Sequence, residues 1–375
     1  MPLDEQILRS ALSLYQPDSK RIELGRARQG AAWGDGEADT LPIVFGAPVP
    51  ERNQFPSFGL DEEFHDARVM LYNGLWGLIG FARSASDAVP SIRANFGTGL
   101  VASLFGLQST VFPDKMPWLR EHLSKEQIAR FSFPSAVGDS GYLSQARGFY
   151  ETAGLYLDGR AKFYVGDTQG PFDLAHLVRG DDLLYDLHDD PQFVHHLLTL
   201  CTDAYIEATL AMKSMIAEPR TRGHHSGCLW LGGGGVRICE DTSTLLSPEH
   251  IDAFVVPYTR RAAAAFGGAW VHYCGNNAHL LDAMIDEIDE VCGLNFGNPE
   301  RHDPASVLRR LVQRGKVYVG AWPREEGEPL REYFQRHLDY LQGARKGLVF
   351  MPHIDWERDG MTPHEVVELW HSLQR

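Results

Sequence analysis

The stretch VRICEDTSTLLSPEHIDAFVVPYTRRAAAAFGGAWVHYC, residues 236–274, contains the unit from which the fold can be predicted. It begins with a short apolar run, continues into a helix opened by Ser247-Pro248, and ends in a second apolar run at 269–274. Serine before proline is a typical helix start, because serine caps the helix and proline fits its first turn. Short apolar runs on either side of a helix are typical of buried parallel strands. The stretch therefore predicts a strand–helix–strand unit, with a break in the helix near Pro257.

The same alternation continues outward along the chain. Further helix starts of this kind are Asp190-Pro191, Asp303-Pro304 and Thr362-Pro363, the last with a capping box to Glu365. The other apolar runs are KFYVGD at 162–167, CGLNFG at 292–297, KVYVGAW at 316–322 and GLVFMP at 347–352. Strands that alternate with helices about six times predict a parallel α/β protein.

Polar side chains follow nearly every one of these strands. They are Asp167, Glu240, His272, Asn295, Trp322 and His353. A barrel brings the carboxyl ends of all its strands to one face, whereas an open sheet spreads them, and the chain has no Gly-x-Gly-x-x-Gly fingerprint. The pattern predicts a (β/α)8 TIM barrel in a single domain, residues 1–375. Its loop- and helix-rich N-terminal extension, residues 1–160, is less regular than the strand–helix units of 161–375.

Composition limits the classes of function. The chain has 375 residues, of which 43% are hydrophobic and 23% charged, as in an ordinary globular protein. The formal net charge of −15 argues against broad binding to nucleic acid or to anionic membranes. No apolar run approaches the roughly 20 residues that span a bilayer, and the first residues lack the pattern of a signal peptide. We expect a cytoplasmic protein whose five cysteines are reduced.

His272 and Cys274 end a predicted strand together. Residues two apart on an extended segment project to the same side, so the pair could bind one metal ion. The alternative is a buried histidine beside an inert thiol at a tight turn, because two ligands alone do not make a metal site. Glu240 and Asp241 close the preceding strand and are candidates for orienting a ligand or handling a proton, or else for capping the next helix.

Residues 238–286 resemble the uroporphyrinogen decarboxylase superfamily, especially its cobalamin-linked methyltransferase branch. The resemblance rests on an acidic pair, Leu-Ser-Pro-Glu at a helix start, Pro-Tyr, and then His-x-Cys-Gly-Asn, in that order. The segment at 166–198, with Gly-Pro and Asp-Pro-x-x-Val, is similar to the upstream part of that family. The resemblance covers roughly residues 160–375 and implies a (β/α)8 barrel.

The resemblance implies zinc bound by His272 and Cys274. In the methyltransferase branch a second cysteine after the last strand completes the protein ligands, but this chain has no cysteine beyond Cys292. His353 is the candidate third ligand, and a His2Cys site would leave a fourth position for a substrate thiol. The implied reaction moves a methyl group between a corrinoid and a thiol. Because this chain has no corrinoid-binding module, we expect the corrinoid on a separate partner protein.

Further site residues are predicted from their places after strands or in loops. We expect Asp167, His224, Asn276 and Asn295 to contact the substrate, and Glu240, Asp241 and His353 to be catalytic. The alternatives are a turn cap for Asp167, a solvated turn for His224 with His225, and a surface loop for His353.

Two other functions remain open. The decarboxylase branch implies decarboxylation of a tetrapyrrole, with His353 and an acid handling protons. The arginine motif that clamps substrate carboxylates in that branch is not reproduced in GRARQGAAWG at 25–34, so we expect uroporphyrinogen to be turned over slowly or not at all. The third reading is a non-catalytic barrel that binds a corrinoid or tetrapyrrole.

Overall fold

A computed structural model describes residues 3–34, 36 and 38–375. The helices are α1 Glu5–Ser13, α2 Ser19–Ala32, α3 Leu60–His65, α4 Ala67–Arg83, α5 Gly99–Ala102, α6 Lys125–Ala129, α7 Gly141–Leu157, α8 Pro171–Arg179, α9 Asp182–Asp189, α10 Pro191–Met215, α11 Pro248–Phe254, α12 Val256–Ala264, α13 Ala278–Asp282, α14 Pro304–Gln313, α15 Leu330–Tyr340, α16 Trp356–Asp359 and α17 Pro363–Ser372. The strands are β1 Ser91–Ile92, β2 Ser109–Thr110, β3 Trp118–Leu119, β4 Lys162–Phe163, β5 Gly223–His225, β6 Leu229–Leu231, β7 Val236–Cys239, β8 Ala269–Tyr273, β9 Val291–Phe296, β10 Val317–Gly320 and β11 Leu348–Phe350.

Five strands form one parallel sheet in the order β11-β10-β9-β8-β7, so strands that are neighbours in the chain are also neighbours in the sheet. Helices lie between consecutive strands of this sheet. The predicted α/β class and the strand–helix alternation are confirmed. Among the described residues the ladders give this sheet and three two-stranded sheets, so closure into an eight-stranded barrel stays a prediction.

The N-terminal part supplies parallel pairings of its own. β1 pairs in parallel with β4, and Ile43 forms an isolated parallel bridge with Phe350 at the end of β11. The Asp87 N–H donates to the Ile43 carbonyl at 2.8 Å, which ties the segment before β1 to the segment that joins β11. Part of the less regular region therefore continues the parallel arrangement.

The helix starts lie where the sequence predicts them. Proline is the first residue of α10, α11, α14 and α17, as predicted, and the Thr362 hydroxyl with Glu365 makes the predicted capping box. Proline also begins α8, a helix start that was not predicted from the sequence. The predicted break near Pro257 is the junction of α11 and α12 at Val255. Gly315 has a φ of 68°, which suits the left-handed residue after a helix.

Buried apolar side chains form one cluster that runs from Leu3 to Trp370 and joins both parts of the chain. No helix in the described part of the chain combines the length and the apolar composition that crossing a bilayer requires.

Candidate metal centre

The register of three neighbouring strands builds the site. Cys239 at the end of β7 pairs with His272 on β8, and His272 pairs with Asn295 on β9. Paired residues of parallel strands project to the same face of a sheet. These three side chains consequently lie side by side at the carboxyl ends of their strands.

Asn295 fixes the orientation of the His272 ring. The Asn295 amide nitrogen Nδ2 donates to the Val319 carbonyl at 2.6 Å, so its oxygen Oδ1 faces the imidazole, 2.6 Å from His272 Nδ1. His272 Nδ1 must then carry the hydrogen, which leaves the lone pair on Nε2. Burial first, and the nearby Arg237 next, lower the pKa of His272 and favour this neutral form.

Potential ligand atoms lie near the His272 ring. From Nε2, Cys274 Sγ lies 3.6 Å away and Asp241 Oδ1 3.8 Å away. One ligand atom from each of Cys239, Asp241 and His272 lies within 4.8 Å of the other two. Two thiols and a carboxylate thus lie near one imidazole ring.

The backbone holds Asp241 and Cys274 together. The Cys274 N–H donates to Asp241 Oδ1 at 2.6 Å, and Gly297 leaves the space that the Cys274 thiol occupies, because a Cβ at 297 would collide with its Sγ. Burial, and then the charge of Asp241, raise the pKa of Cys274 to about 11. Burial also raises the pKa of Cys239. Both thiols are therefore protonated near neutral pH unless a metal ion displaces the proton.

A pair of buried carboxyl groups supports the loop that carries Asp241. Both oxygens of Asp173, on α8, accept backbone hydrogen bonds, from Asp241 N–H at 2.8 Å and Thr242 N–H at 2.7 Å. Glu240 is fully buried and accepts from the hydroxyls of Ser243 and Thr259. Burial raises the pKa of Asp173 to about 6, and the charge of Asp241 adds to the rise. Burial raises the pKa of Glu240 to about 8, and the charge of Asp173 adds to the rise. Glu240 lies among supporting residues here, and its direct role in catalysis stays a prediction.

The other predicted residues are less closely grouped. Asp167 lies 3.8 Å from Arg93 and lines, with Arg93, Arg237 and Cys239, a narrow gap next to the candidate centre. His353 is exposed, and its backbone N–H donates to the Tyr333 hydroxyl at 3.4 Å. Neither Cys274 nor His353 belongs to the group of mutually close ligand atoms, which contains Cys239 and Asp241 beside His272. Metal binding by Cys274 and by His353 stays a prediction.

His224 and Asn276 each have a protein partner. His224 lies on β5, where its Nδ1 is 3.0 Å from Glu218 Oε1, and its neighbour His225 is buried. The pair is thus part of a hairpin and does not form a solvated turn. Asn276 is exposed and donates to the Arg301 carbonyl at 3.2 Å. Contact of either residue with a substrate stays a prediction.

The segment at 25–34 is engaged in structural contacts. Arg28 pairs with Asp39 at 2.7 Å and with the buried Asp87 at 2.9 Å. Arg26 lies over the Trp230 ring, 4.1 Å from its centroid. These arginines contact the protein itself, and the absence of a carboxylate clamp stays a prediction.

Sequence reasoning missed Cys239, Arg93 and Arg237. The sequence pattern places the polar residue after this strand at Glu240, whereas the residue in register with His272, on the same face of the sheet, is Cys239. Alternation along β7 places Arg237 and Cys239 on one face. Arg93 lies after a two-residue strand, too short to predict from an apolar pattern.

Comparison with known proteins shows a likeness in fold. No protein-family model and no curated protein matches the chain. Among solved structures, a methyltransferase from Methanosarcina mazei superposes with a TM-score of 0.66 over 93% of this chain and 98% of that chain, at 14% sequence identity. The chain shares the fold of that enzyme. At this identity the likeness shows the fold alone.

Proposed function

We propose that this protein is a methyltransferase that moves a methyl group between a corrinoid, carried by a separate protein, and a thiol, with a zinc ion at His272. The observation that carries the proposal is the oriented Nε2 of His272 beside the thiol of Cys274 and the carboxylate of Asp241. The shared fold with a methyltransferase supports it. A tetrapyrrole decarboxylase and a non-catalytic binding barrel are the alternatives that the experiments below address.

We also propose that the parallel segments form a (β/α)8 barrel. Eight segments support this: residues 42–44, β1, β4 and the five strands of the sheet. In a barrel the candidate centre would lie at the carboxyl face, where such enzymes carry their sites.

The donor set fits zinc. Ligand atoms of a four-coordinate zinc ion lie roughly 3.3–3.8 Å from one another, given bond lengths of about 2.0–2.3 Å. The distances from His272 Nε2 to Cys274 Sγ and to Asp241 Oδ1, 3.6 and 3.8 Å, agree with that spacing. Nitrogen, sulfur and carboxylate oxygen are all ligands that zinc accepts. Cys239 is the second thiol within reach, and His353 is the ligand predicted from the sequence.

Each residue of the candidate metal centre then has a defined role. Zinc, when bound, would hold the substrate thiol as a thiolate at neutral pH, which is the nucleophile that methyl transfer needs. Asn295 keeps the hydrogen of His272 on Nδ1, so that Nε2 stays a donor of its lone pair. Asp173 holds the backbone at Asp241, and Asp241 in turn fixes the backbone of Cys274.

Metal analysis of the full-length protein, purified without added metal, is the first test. We expect close to one zinc per chain, most of it lost in His272→Gln and Cys274→Ser and retained in the control Cys292→Ser. Cys239→Ser and His353→Gln measure which residue is the third ligand. A purified protein without zinc that also fails to take it up on titration would contradict the metal centre.

Activity is tested with methylcobalamin as the methyl donor and 2-mercaptoethanol as the thiol. We expect the absorbance of methylcobalamin to fall with thiol, zinc and enzyme together, and far more slowly with Cys274→Ser. Stepwise loss of carboxyl groups from uroporphyrinogen, without methyl transfer, would favour the decarboxylase. A protein that binds methylcobalamin but turns over neither compound would favour the binding barrel.

A further inference from the structure

A cavity of about 430 Å³ lies between α4 and the ends of β1 and β4; we call it the α4 cavity. Its apolar wall includes Met70, Leu78 and Phe81 of α4, and its polar residues include Arg93 and Glu63. Small-molecule sites in proteins have volumes of roughly 300–1,000 Å³ and combine an apolar wall with a few polar groups. The α4 cavity has the size and the composition of such a site.

Few negative charges lie near the positive charge of Arg93. Among the residues that the structure describes, the only carboxylate within 4.0 Å of its guanidinium is Asp167, at 3.8 Å, and its side chain is only 20% exposed. Arg237 lines the same narrow gap and has no carboxylate within 4.0 Å in the described part of the chain. The gap is thus lined by two guanidinium groups and by one carboxylate, which pairs with Arg93. A partly buried guanidinium favours an anion that it can bind through two parallel N–H groups.

Among the described residues that line the α4 cavity, the carboxyl group is that of Glu63, and its oxygens already accept hydrogen bonds. Glu63 is buried, and its two oxygens accept hydrogen bonds from Asn73 Nδ2 at 2.8 Å and from Asn95 Nδ2 at 2.7 Å. It lies on the cavity wall but has no ion pair with Arg93 within 4.0 Å. The second charge of a dianionic ligand would face this carboxyl group, whereas a monoanion needs only the Arg93 guanidinium as its partner.

We infer that the α4 cavity binds a small monocarboxylate with an apolar body, its carboxylate on Arg93 and its body against the apolar wall of α4. This site goes beyond the proposed methyl transfer and does not need a metal ion. Arg93 also lines the gap that Cys239 lines, so the head of the bound ligand lies on the side of the candidate metal centre.

The probe for this site is 4-phenylbutanoate, titrated into the full-length protein by calorimetry. EDTA in the buffer ensures that a bound metal ion cannot account for the signal. We expect saturable binding of one molecule, and binding weaker by about tenfold or more for 4-phenylbutanamide, which lacks the charge, and for acetate, which lacks the body. A factor of ten corresponds to about 1.4 kcal/mol. Tighter binding of 4-phenylbutylphosphonate would overturn the assignment to a monocarboxylate.

Two variants locate the ligand. Arg93→Gln should weaken binding of 4-phenylbutanoate at least about tenfold, while the control Arg68→Gln, at a 39% exposed arginine of α4, should leave it unchanged. Gly77 lines the cavity from α4, and a Cβ there would meet no atom within 4 Å. Gly77 is exposed, so Gly77→Leu should narrow the cavity at its rim without disturbing the helix and weaken binding at least about tenfold. Its matched control is Gly148→Leu on α7, where a Cβ also meets nothing within 4 Å.

Circular dichroism and thermal unfolding accompany each titration. The inference would be overturned if 4-phenylbutanoate at about 10 mM did not bind the unmodified protein, or if Gly77→Leu bound it unchanged. If Arg93→Gln fails to fold, Gly77→Leu alone still tests the site. Failure here leaves zinc binding at His272 unaffected, and loss of zinc leaves this binding unaffected, so the two proposals fail separately.

Discussion

Asn295 determines which nitrogen of His272 faces the candidate metal centre. Asn295→Ala removes the acceptor of the Nδ1 hydrogen, and we expect zinc affinity to fall about 10–100-fold, as for other residues that orient a ligand histidine. Asn295→Asp keeps an acceptor at that position and should retain more of the affinity than Asn295→Ala. Competition with a chromogenic chelator measures both. The control is Asn276→Ala, an exposed asparagine in the same region; equal losses in Asn276→Ala and Asn295→Ala would contradict the role.

For single residues, the sequence predicts those contacts that depend only on spacing within one strand. His272 and Cys274 are two residues apart on β8, and their side chains do lie together, with Sγ 3.6 Å from Nε2. The proximity of Cys239 and Asn295 depends on the register between three strands, which backbone pairing sets and no local pattern records. Asn295 was predicted as a substrate contact, whereas the structure shows it bonded to His272 and Val319.

Asp173 connects helix α8 to the loop after β7. Asp173→Asn replaces one of its two accepting oxygens with an N–H2 group that faces a backbone N–H, and we expect the free energy of unfolding to fall by about 1–3 kcal/mol. Zinc affinity should fall as well, since Asp241 begins the loop that Asp173 holds. Chemical denaturation and metal titration measure the two effects. Asp181→Asn, at an exposed position next to α9, is the control; a variant as stable as the unmodified protein would show that the loop needs no such support.

Helix α15 contains a buried histidine that should make the free energy of unfolding depend on pH. His337 is fully buried. Its Nε2 accepts a hydrogen bond from the backbone N–H of Trp322 at 3.0 Å, and its Nδ1 donates to the Tyr333 carbonyl at 2.9 Å. Burial lowers its pKa from 6.5 to about 4. In the unfolded chain His337 is therefore protonated below about pH 6.5, whereas in the folded chain it is protonated only below about pH 4. The stabilisation by neutral His337 is complete above pH 6.5 and is lost as the pH falls from 6.5 to about 4.

The expected loss over that range is about 3 kcal/mol of unfolding free energy. His337→Gln cannot titrate, so its unfolding free energy should depend less steeply on pH between 6.5 and 4 than that of the unmodified protein. Denaturation curves at several pH values, with His364→Gln at an exposed position as the control, measure the difference. Parallel pH profiles for the unmodified protein and His337→Gln would refute the assignment.

Helices proved easier to predict than strands in this chain. A capping residue before proline defines a helix start through local backbone chemistry, and α10, α11, α14 and α17 begin at the predicted prolines. The run at 162–167 was predicted as a strand, but only Lys162 and Phe163 have strand geometry. Short strands such as β1 and β4 depend on partners distant in sequence, which a local apolar pattern cannot reveal.

For the whole molecule, the least predictable feature is how residues 1–160 join the rest. The sequence suggests loops around a barrel, yet residues 42–44 pair beside β11. The Trp370 indole N–H donates to the Leu41 carbonyl at 2.8 Å, and the Gln374 side chain accepts from the Leu41 N–H at 2.8 Å. These contacts join positions more than 300 residues apart, so no pattern in either segment alone could indicate them.

Asp87 links these N-terminal segments, and its removal should destabilise the whole chain. Its Oδ1 accepts from the buried Arg28 at 2.9 Å, its Oδ2 accepts from the Ile43 N–H at 3.0 Å, and its carbonyl accepts from Gln29 Nε2 at 2.7 Å. Asp87→Ala removes one of the two carboxylates that pair with Arg28, so that Asp39 is the one that remains. It also removes the acceptor of the Ile43 N–H. Because breaking one side of a buried ion pair costs about 3–5 kcal/mol, we expect a loss of that size in unfolding free energy.

The matched control is Asp39→Ala, which removes the other carboxylate of Arg28. Asp39 is 63% exposed and Asp87 only 4% exposed, so the control should cost about 1 kcal/mol or less. Urea denaturation followed by both fluorescence and circular dichroism measures the two losses and checks that the probes report one transition. A loss in Asp87→Ala no larger than that in Asp39→Ala would show that the link between the N-terminal segments and the sheet is weak. A second transition in Asp87→Ala alone would show that residues 1–160 unfold separately once this link is broken, which the continuous core from Leu3 to Trp370 argues against.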